Sequence, residues 1–171
     1  MNEQALLELL ERVRNRFYGK YRGVVTDVDD DTKRGRIKAK VPSVLGEHKT
    51  GWCMPCVPYA GPQAGQLFLP EVGAGVWIEF EGGDVSYPIW TGCYWRSGEL
   101  PADAAPAVKV IETAGGQQIL LDDDAGSVTV SDSNGNTVTL DGSGITLERG
   151  GKKVVVSDAE VSVNDGALEV L

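Results

Sequence analysis

The feature that most limits the fold of this chain is the region after Trp95, which contains no aromatic residue. Short runs of alternating apolar and polar residues recur there, each starting 7 to 10 residues after the one before, with Gly, Asp, Asn or Ser in the gaps. The runs start at positions 119, 128, 138, 145, 154, 161 and 168. Such an internal repeat predicts a β-solenoid or a β-prism over residues 108–171.

Each run offers only two or three apolar side chains, most of them small and β-branched. Ordering one residue costs roughly 1–2 kcal/mol. A fully buried Val or Ile returns about 1.5–3 kcal/mol, so a lone copy with about one residue in three buried gains no net stability. Three copies around one axis would share a narrow apolar core and pair their strand edges. We therefore predict an intertwined homotrimer rather than a lone parallel β-helix, whose coils usually run about 20 residues or more. The predicted trimer core comprises Val128, Val130, Val138, Leu140, Ile145, Leu147, Val154, Val156, Val161 and Val163.

The preceding region, residues 21–96, also has a period of two, but it is rich in aromatic residues. Five or so short strands in about 75 residues, separated by Gly, Pro and Asp turns, predict a small barrel of the OB type. The fold class is therefore all-β. Residues 1–20 form a helical arm and residues 97–107, SGELPADAAPA, form a linker between the barrel and the spike. The predicted barrel core is Val24, Ile37, Val76, Ile78 and Phe80.

The helical arm is predicted from one apolar stripe. Leu6, Leu10, Val13 and Phe17 recur at spacings of four, three and four residues, as on one face of a helix. Asn2 is the predicted N-cap. A helix this short is marginal in water, so its stripe needs a partner, either the adjacent domain or another protein.

Charge and composition exclude several classes of function. Residues 1–50 carry 11 Lys and Arg against 8 Asp and Glu, whereas residues 51–171 carry 5 against 17. An acidic region repels phosphate backbones, so we expect no nucleic acid there. No run of about 18 apolar residues is present, and the first residues do not resemble a signal peptide. Three Cys residues without such a signal favour synthesis in a reducing compartment.

No motif predicts a cofactor, and two sets of residues resemble metal sites only weakly. His48, Cys53, Cys56 and Cys93 could supply four zinc ligands. In a strand, however, Cys53 and Cys56 would point to opposite faces, so we expect no metal there. The acidic segment 27–31 does not supply both the Gly at position 6 and the Glu at position 12 that a calcium-binding EF-hand loop needs, and it is interpreted as a solvated turn.

No residues predict catalysis either. The chain has one His and no nucleophile elbow, and Glu79 with Glu81, or Glu71 with Asp84, only imitates a glycosidase pair. We expect a protein that is not an enzyme. The alternative to a structural role is an OB-fold binding module that stacks bases or sugars on Trp52, Trp77 or Trp95. Such a module needs a basic groove, yet Arg96 is the only basic residue in 51–96.

The segment 65–92 carries a specific pattern: G-x-x-F-L-P-E-V-G, then V-x-I-x-F-E-G-G-D, then P-x-x-x-G. With GVVTDVDDDTKRGRIKAKVP upstream, it resembles the OB-fold domain of contractile-tail spikes. These are the phage baseplate assembly protein V family, the central spike of T-even phages and the VgrG proteins of type VI secretion. The resemblance covers residues 21–96 directly, and residues 108–171 are similar by pattern to the family's trimeric β-helical needle.

The resemblance implies a homotrimer at the centre of a baseplate, in a virion tail or another contractile injection particle assembled in the bacterial cytoplasm. Its barrels would attach to tube or hub proteins, and its needle would contact and puncture the target membrane. The aromatic-rich stretch is then barrel core plus trimer contact. The short segment 97–107 stands where the T-even spike carries a lysozyme domain, and no H-x-H iron motif ends the chain. A separate tip protein of the PAAR type is therefore expected at the C-terminus.

Overall fold

The computed structural model describes residues 4, 7, 10 and 13–170, with side chains up to residue 168. The chain forms two compact units, Met1–Glu99 and Leu100–Leu171. Strands are the main regular structure of the described residues, so the predicted all-β class is confirmed. Within the described residues, no helix is long and apolar enough to cross a bilayer.

The N-terminal unit is built around a curled sheet of the OB type. Its strands are β1 (Tyr21–Asp27), β2 (Lys38–Lys40), β3 (Met54–Pro55), β4 (Ala60–Gly61), β5 (Ala64–Gly65), β6 (Gly75–Phe80) and β7 (Pro88–Tyr94). A one-turn helix α1 spans Pro42–Leu45, and a 3₁₀ turn spans Glu81–Gly83.

The barrel closes through one antiparallel bridge. The five-stranded sheet has the order β2-β1-β6-β7-β3, and β3 runs parallel to β7. The two ends of this order meet where the Ile37 and Cys53 backbones exchange hydrogen bonds of 3.3 and 2.7 Å. This closure satisfies backbone groups that an open sheet edge would leave unpaired.

The core of the barrel is fully enclosed within one chain. Val25, Ile37, Ala39, Val41, Cys53, Val76, Ile78, Phe80 and Trp90 each expose 5% or less of their surface. Val24, predicted for this core, is only half-buried, and that prediction is wrong. Strand side chains alternate between faces, and in β1 the inward positions are Gly23 and Val25. A pair of adjacent Val residues does not by itself indicate which one faces inward.

The N-terminal segment is anchored to the barrel by the turn after β6. The Phe17 amide donates to the Gly83 carbonyl at 2.8 Å, and the Phe17 ring packs edge-on against Phe80. Arg16 forms an ion pair with Asp84 at 3.0 Å. A side chain at Gly83 would press on Arg16 and Phe17 and would sit at a φ of +77°, so this position favours glycine.

The described residues upstream of this anchor, at positions 4, 7, 10, 13 and 14, have helical backbone. Leu7, Leu10 and Val13 are exposed. The predicted N-cap Asn2 and the predicted stripe residue Leu6 lie outside the described residues. Phe17, the last residue of the predicted stripe, follows the helical positions and packs on the barrel instead.

The C-terminal unit is one eight-stranded antiparallel meander. Each strand pairs with the strand before it in the chain. The strands are β8 (Val108–Glu112), β9 (Gln118–Asp122), β10 (Ser127–Ser131), β11 (Asn136–Asp141), β12 (Gly144–Arg149), β13 (Lys152–Val156), β14 (Val161–Val163) and β15 (Leu168–Val170). A single chain therefore does not form the parallel β-helix considered as the rival.

Candidate trimerisation surface

One face of the C-terminal sheet is apolar from β8 to β15. Two rows of side chains run across the strands on this face, because the strand registers place apolar positions opposite one another. Row A, near the hairpins β8–β9, β10–β11, β12–β13 and β14–β15, comprises Ile111, Ile119, Val130, Val138, Leu147, Val154, Val163 and Leu168. Row B, near the intervening hairpins, comprises Leu121, Val128, Leu140, Ile145, Val156 and Val161, and its β8 position holds Lys109, opposite Leu121.

All ten residues predicted for the trimer core lie in these two rows. Sequence reasoning missed four members: Ile111, Ile119, Leu121 and Leu168. The run Ile119-Leu120-Leu121 has no polar alternation, so its inward positions could not be read from it. The pairs Val130↔Ile119 and Val128↔Leu121 settle which two of the three residues share the apolar face.

The opposite face of the same sheet is mainly polar through its middle strands. Thr129, Thr139 and Thr146 lie in one cross-strand row there. This division gives the sheet one face suited to water and one face suited to burial.

Within the described residues of the C-terminal unit, no element covers the apolar face. Between residues 100 and 168, no residue is buried. In row A, Leu147 exposes 47% of its surface, and in row B, Val161 exposes 36%. Single exposed apolar residues are ordinary, but a contiguous patch this large marks an interaction surface.

A hydrogen-bonded polar ladder borders row A. Arg149 donates to the Asn136 side-chain carbonyl at 2.7 Å, and the Asn136 side-chain amide donates to Asp132. The backbone N–H of Asn136 also donates to Asp132 at 2.9 Å. These donors hold the pKa of the Asp132 carboxyl well below its usual range, the Asn136 backbone N–H first among them. These hydrogen bonds join the β10–β11 hairpin, β11 and the end of β12 at this edge of the apolar face.

The tryptophans of the N-terminal unit do not form a stacking groove. Trp90 lies in the barrel core and donates to the Gly35 carbonyl at 3.0 Å. Trp52 is covered by the Lys38 ammonium, 4.1 Å from the ring centroid, and by Arg36.

The other two tryptophans lie on the outer side of the barrel. Trp77 packs on Tyr94 with ring centroids 5.1 Å apart, and Arg22 lies over both rings. Trp95 is 66% exposed. Of the three rings considered for stacking bases or sugars, Trp95 alone presents most of its surface.

The four candidate zinc ligands are not gathered into a site. Cys53 is buried in the barrel core beside the Thr50 hydroxyl at 3.2 Å, whereas Cys56 and Cys93 are exposed. Burial raises the pKa of the Cys53 thiol to about 11. In the part of the chain that the structure describes, no three His, Cys, Asp or Glu residues are placed to hold a metal ion.

The acidic turn after β1 is organised by Asp30 rather than solvated throughout. Arg36 donates to the Asp30 carboxylate through Nη2 at 2.6 Å and Nε at 3.1 Å, and Thr32 and Arg34 donate backbone N–H groups. The Asp30 side chain is only 4% exposed. The Arg36 hydrogen bonds, followed by these N–H groups, hold the pKa of Asp30 far below its usual range. Asp29 and Asp31 are exposed, as interpreted.

In each of the two pairs that imitate a glycosidase pair, one carboxylate has a structural partner. Glu79 accepts from Lys20 at 2.6 Å. Asp84 accepts from the Ser86 backbone N–H and from Arg16, each at 3.0 Å. The Ser86 hydrogen bonds and the Arg16 charge lower the pKa of Asp84.

Comparison with known families agrees with both units. The family model described as the type VI secretion system/phage-baseplate injector OB domain matches residues 21–95. The model described as the phage baseplate V C-terminal trimerisation domain matches residues 108–169. An injector OB domain followed by a trimerisation domain defines a class of structural spike proteins in phage baseplates and injection systems.

The chain belongs to the phage baseplate V family, which is related to VgrG-like spikes. The type VI secretion system spike proteins VgrG2a and VgrG2b of Pseudomonas aeruginosa are each 31% identical to it over 83 residues, or 46% of the chain. The matched segment is 10% of the length of VgrG2a and 8% of that of VgrG2b.

Proposed function

We propose that this protein is the homotrimeric central spike of a contractile tail or injection-system baseplate. The observation that carries the proposal is the uncovered apolar face of the C-terminal sheet. Burial of apolar surface contributes about 25 cal/mol per Å², so three copies facing one axis would gain the stability that a single copy lacks. The match to a trimerisation domain supports three as the number of copies.

The dimensions of the sheet favour strands that run across the trimer axis. Strands of five or six residues are about 17–20 Å long, and a triangular prism with such sides has its axis about 5–6 Å from each face. Two sheets pack about 10 Å apart, so Val, Ile and Leu side chains fill that depth. Eight strands spaced about 4.8 Å apart make a sheet about 38 Å wide, and strands parallel to the axis would leave the centre empty. The proposed needle is therefore narrow and about 38 Å long.

In this proposal the protein acts mechanically and has no chemistry of its own. The OB unit attaches to tube or hub proteins, and the needle is driven through the target envelope when a sheath contracts. A PAAR-type tip protein would cover the C-terminal end, where three copies of β15 present their outer edges. The particle would be assembled in the bacterial cytoplasm.

The mass of the intact protein tests the trimer directly. Light scattering at micromolar concentration should give three times the 18.3 kDa chain mass. A stable monomer at that concentration would contradict the proposed function. Co-expression with the hub and tip proteins of the same particle tests the attachments, because each should co-purify with the intact trimer. Failure of the hub protein to bind the purified trimer would remove the baseplate assignment.

A further inference from the structure

The two edges of the apolar face differ in charge. Beyond row B, the hairpins β9–β10, β11–β12 and β13–β14 carry Asp122, Asp123, Asp124, Asp141, Asp158 and Glu160. Beyond row A, the β12–β13 hairpin carries two cations, Arg149 and Lys152, at its paired ends. One edge is therefore strongly acidic, whereas the other carries single acidic residues, Glu112, Asp132 and Asp165, at its other hairpins and a local basic point at the β12–β13 hairpin.

Arg149 and Lys152 have no ion-pair partner among the described residues of their own chain. The ion pairs of the C-terminal unit join Lys109 to Asp123 and Lys153 to Asp165. Arg149 donates only to the neutral Asn136 side chain, and Lys152 is exposed.

Three-fold symmetry decides which edges meet. Rotation of a sheet by one third of a turn, about an axis perpendicular to its strands, brings the row A edge of one copy against the row B edge of the next. Contacts of this kind are heterologous, so each copy uses two different surfaces. The β12–β13 hairpin of one copy would then lie level with a point between the β11–β12 and β13–β14 hairpins of its neighbour.

We propose that Arg149 and Lys152 bind the acidic hairpins of a neighbouring copy, which carry Asp141 and Asp158 with Glu160. This inference rests on the proposed trimer and adds the surfaces that meet at each of its three corners. Opposite charges at this level would favour contact between the row A edge of one copy and the row B edge of the next. Exposed ion pairs add little stability, so their expected role is to select which edges of neighbouring copies meet.

Disulfide trapping tests the proposed corner. In a Cys56→Ser/Cys93→Ser background, the protein carries Lys152→Cys with Asp158→Cys. Within one chain these positions lie at opposite ends of β13, about 20 Å apart. A disulfide needs Cα atoms within about 7 Å, so this pair can bond only between copies. Three such bonds close a ring, and oxidation should convert most of the protein into covalent trimers.

The matched control is Lys152→Cys with Asp165→Cys, in the same background. Both thiols then lie at the row A edge, so no covalent trimer is expected. Light scattering under reducing conditions separates the two hypotheses. If the protein is a trimer but gives no more covalent trimer than the control, the proposed contact between the two edges is wrong. If the protein with the serine substitutions is not a trimer, the proposed function is wrong.

Charge reversal provides an independent measurement. Arg149→Glu/Lys152→Glu makes both edges acidic, and Asp158→Lys/Glu160→Lys makes the facing hairpins basic. Each variant alone should melt at a lower temperature than the wild type. Co-expressed with different tags, the two should form mixed trimers above random assortment. Random assortment, with unchanged melting of each variant, would contradict the proposal.

Discussion

The two units of this chain satisfy their apolar residues in opposite ways. The OB barrel curls one sheet until its ends meet and encloses Ile37, Val76 and Ile78 completely. The C-terminal sheet stays open and leaves apolar residues such as Leu147 nearly half exposed. The composition follows this difference, since the aromatic residues lie before residue 96 and the later strands rely on Val, Ile, Leu and Thr. In the proposed trimer, the C-terminal unit would thus carry only one side of a core, and the other chains would supply the rest.

The largest expected effect comes from a charge on the uncovered face. Val138→Asp would place three carboxylates near the trimer axis, and burying each unpaired ion costs several kcal/mol. We expect the variant to lose the trimer in light scattering. Thr139→Asp is the matched control on the opposite face of the same strand, and it should remain trimeric. A stable Val138→Asp trimer would show that this face is not the shared core.

The second prediction tests whether the barrel depends on its own chain for its core. Ile78→Ala should lower the free energy of unfolding of the OB unit by about 2–5 kcal/mol. All four Trp residues lie in this unit, so Trp fluorescence reports its unfolding specifically. The control Val72→Ala changes a residue that is 60% exposed and should have little effect. Loss of the trimer on Ile78→Ala would show that trimer formation depends on the barrel core, which contradicts this prediction.

A smaller effect, confined to the barrel, is expected from pH. The pKa of Asp30 is lowered in the folded protein, so its stabilising contribution is present above its unfolded pKa of about 3.9 and is lost as the pH falls below that value. Denaturation followed by Trp fluorescence should show a weaker OB unit at pH 3 than at pH 7. Asp30→Asn should already be weaker at pH 7 and should lose part of this pH dependence. The exposed neighbour Asp31 provides the control, Asp31→Asn, which should behave as the wild type.

The smallest expected effect is a difference in reactivity among the three thiols of the unmodified protein. Cys53 lies in the barrel core and its pKa is raised to about 11, so a thiol reagent at pH 8 should not reach it in the folded protein. Cys56 and Cys93 are exposed and should react. The expected count is therefore lower in the native protein than in denaturant. Rapid reaction of Cys53 in the native protein would mean that the barrel opens readily.

Local pattern was sufficient to predict the class, the barrel and the rows of the C-terminal sheet. The ten predicted core residues share one face because V-x-V alternation fixes the relative orientation of residues within a strand. It failed where adjacent apolar residues compete, as at Val24 and Val25, and where a run has no polar partner, as at residues 119–121. It also missed the role of Asp30, whose partner Arg36 lies across a turn.

The sequence by itself determined that this chain has short strands, tight turns and a C-terminal region too poor in apolar bulk to enclose its own core. These properties depend on residue type and spacing, which are local. Only the tertiary structure decided which side of each strand faces inward, how the barrel closes at Ile37 and Cys53, and that the C-terminal strands run antiparallel with one apolar face. Those features depend on register between strands, and a shift of one residue in register would exchange the two faces.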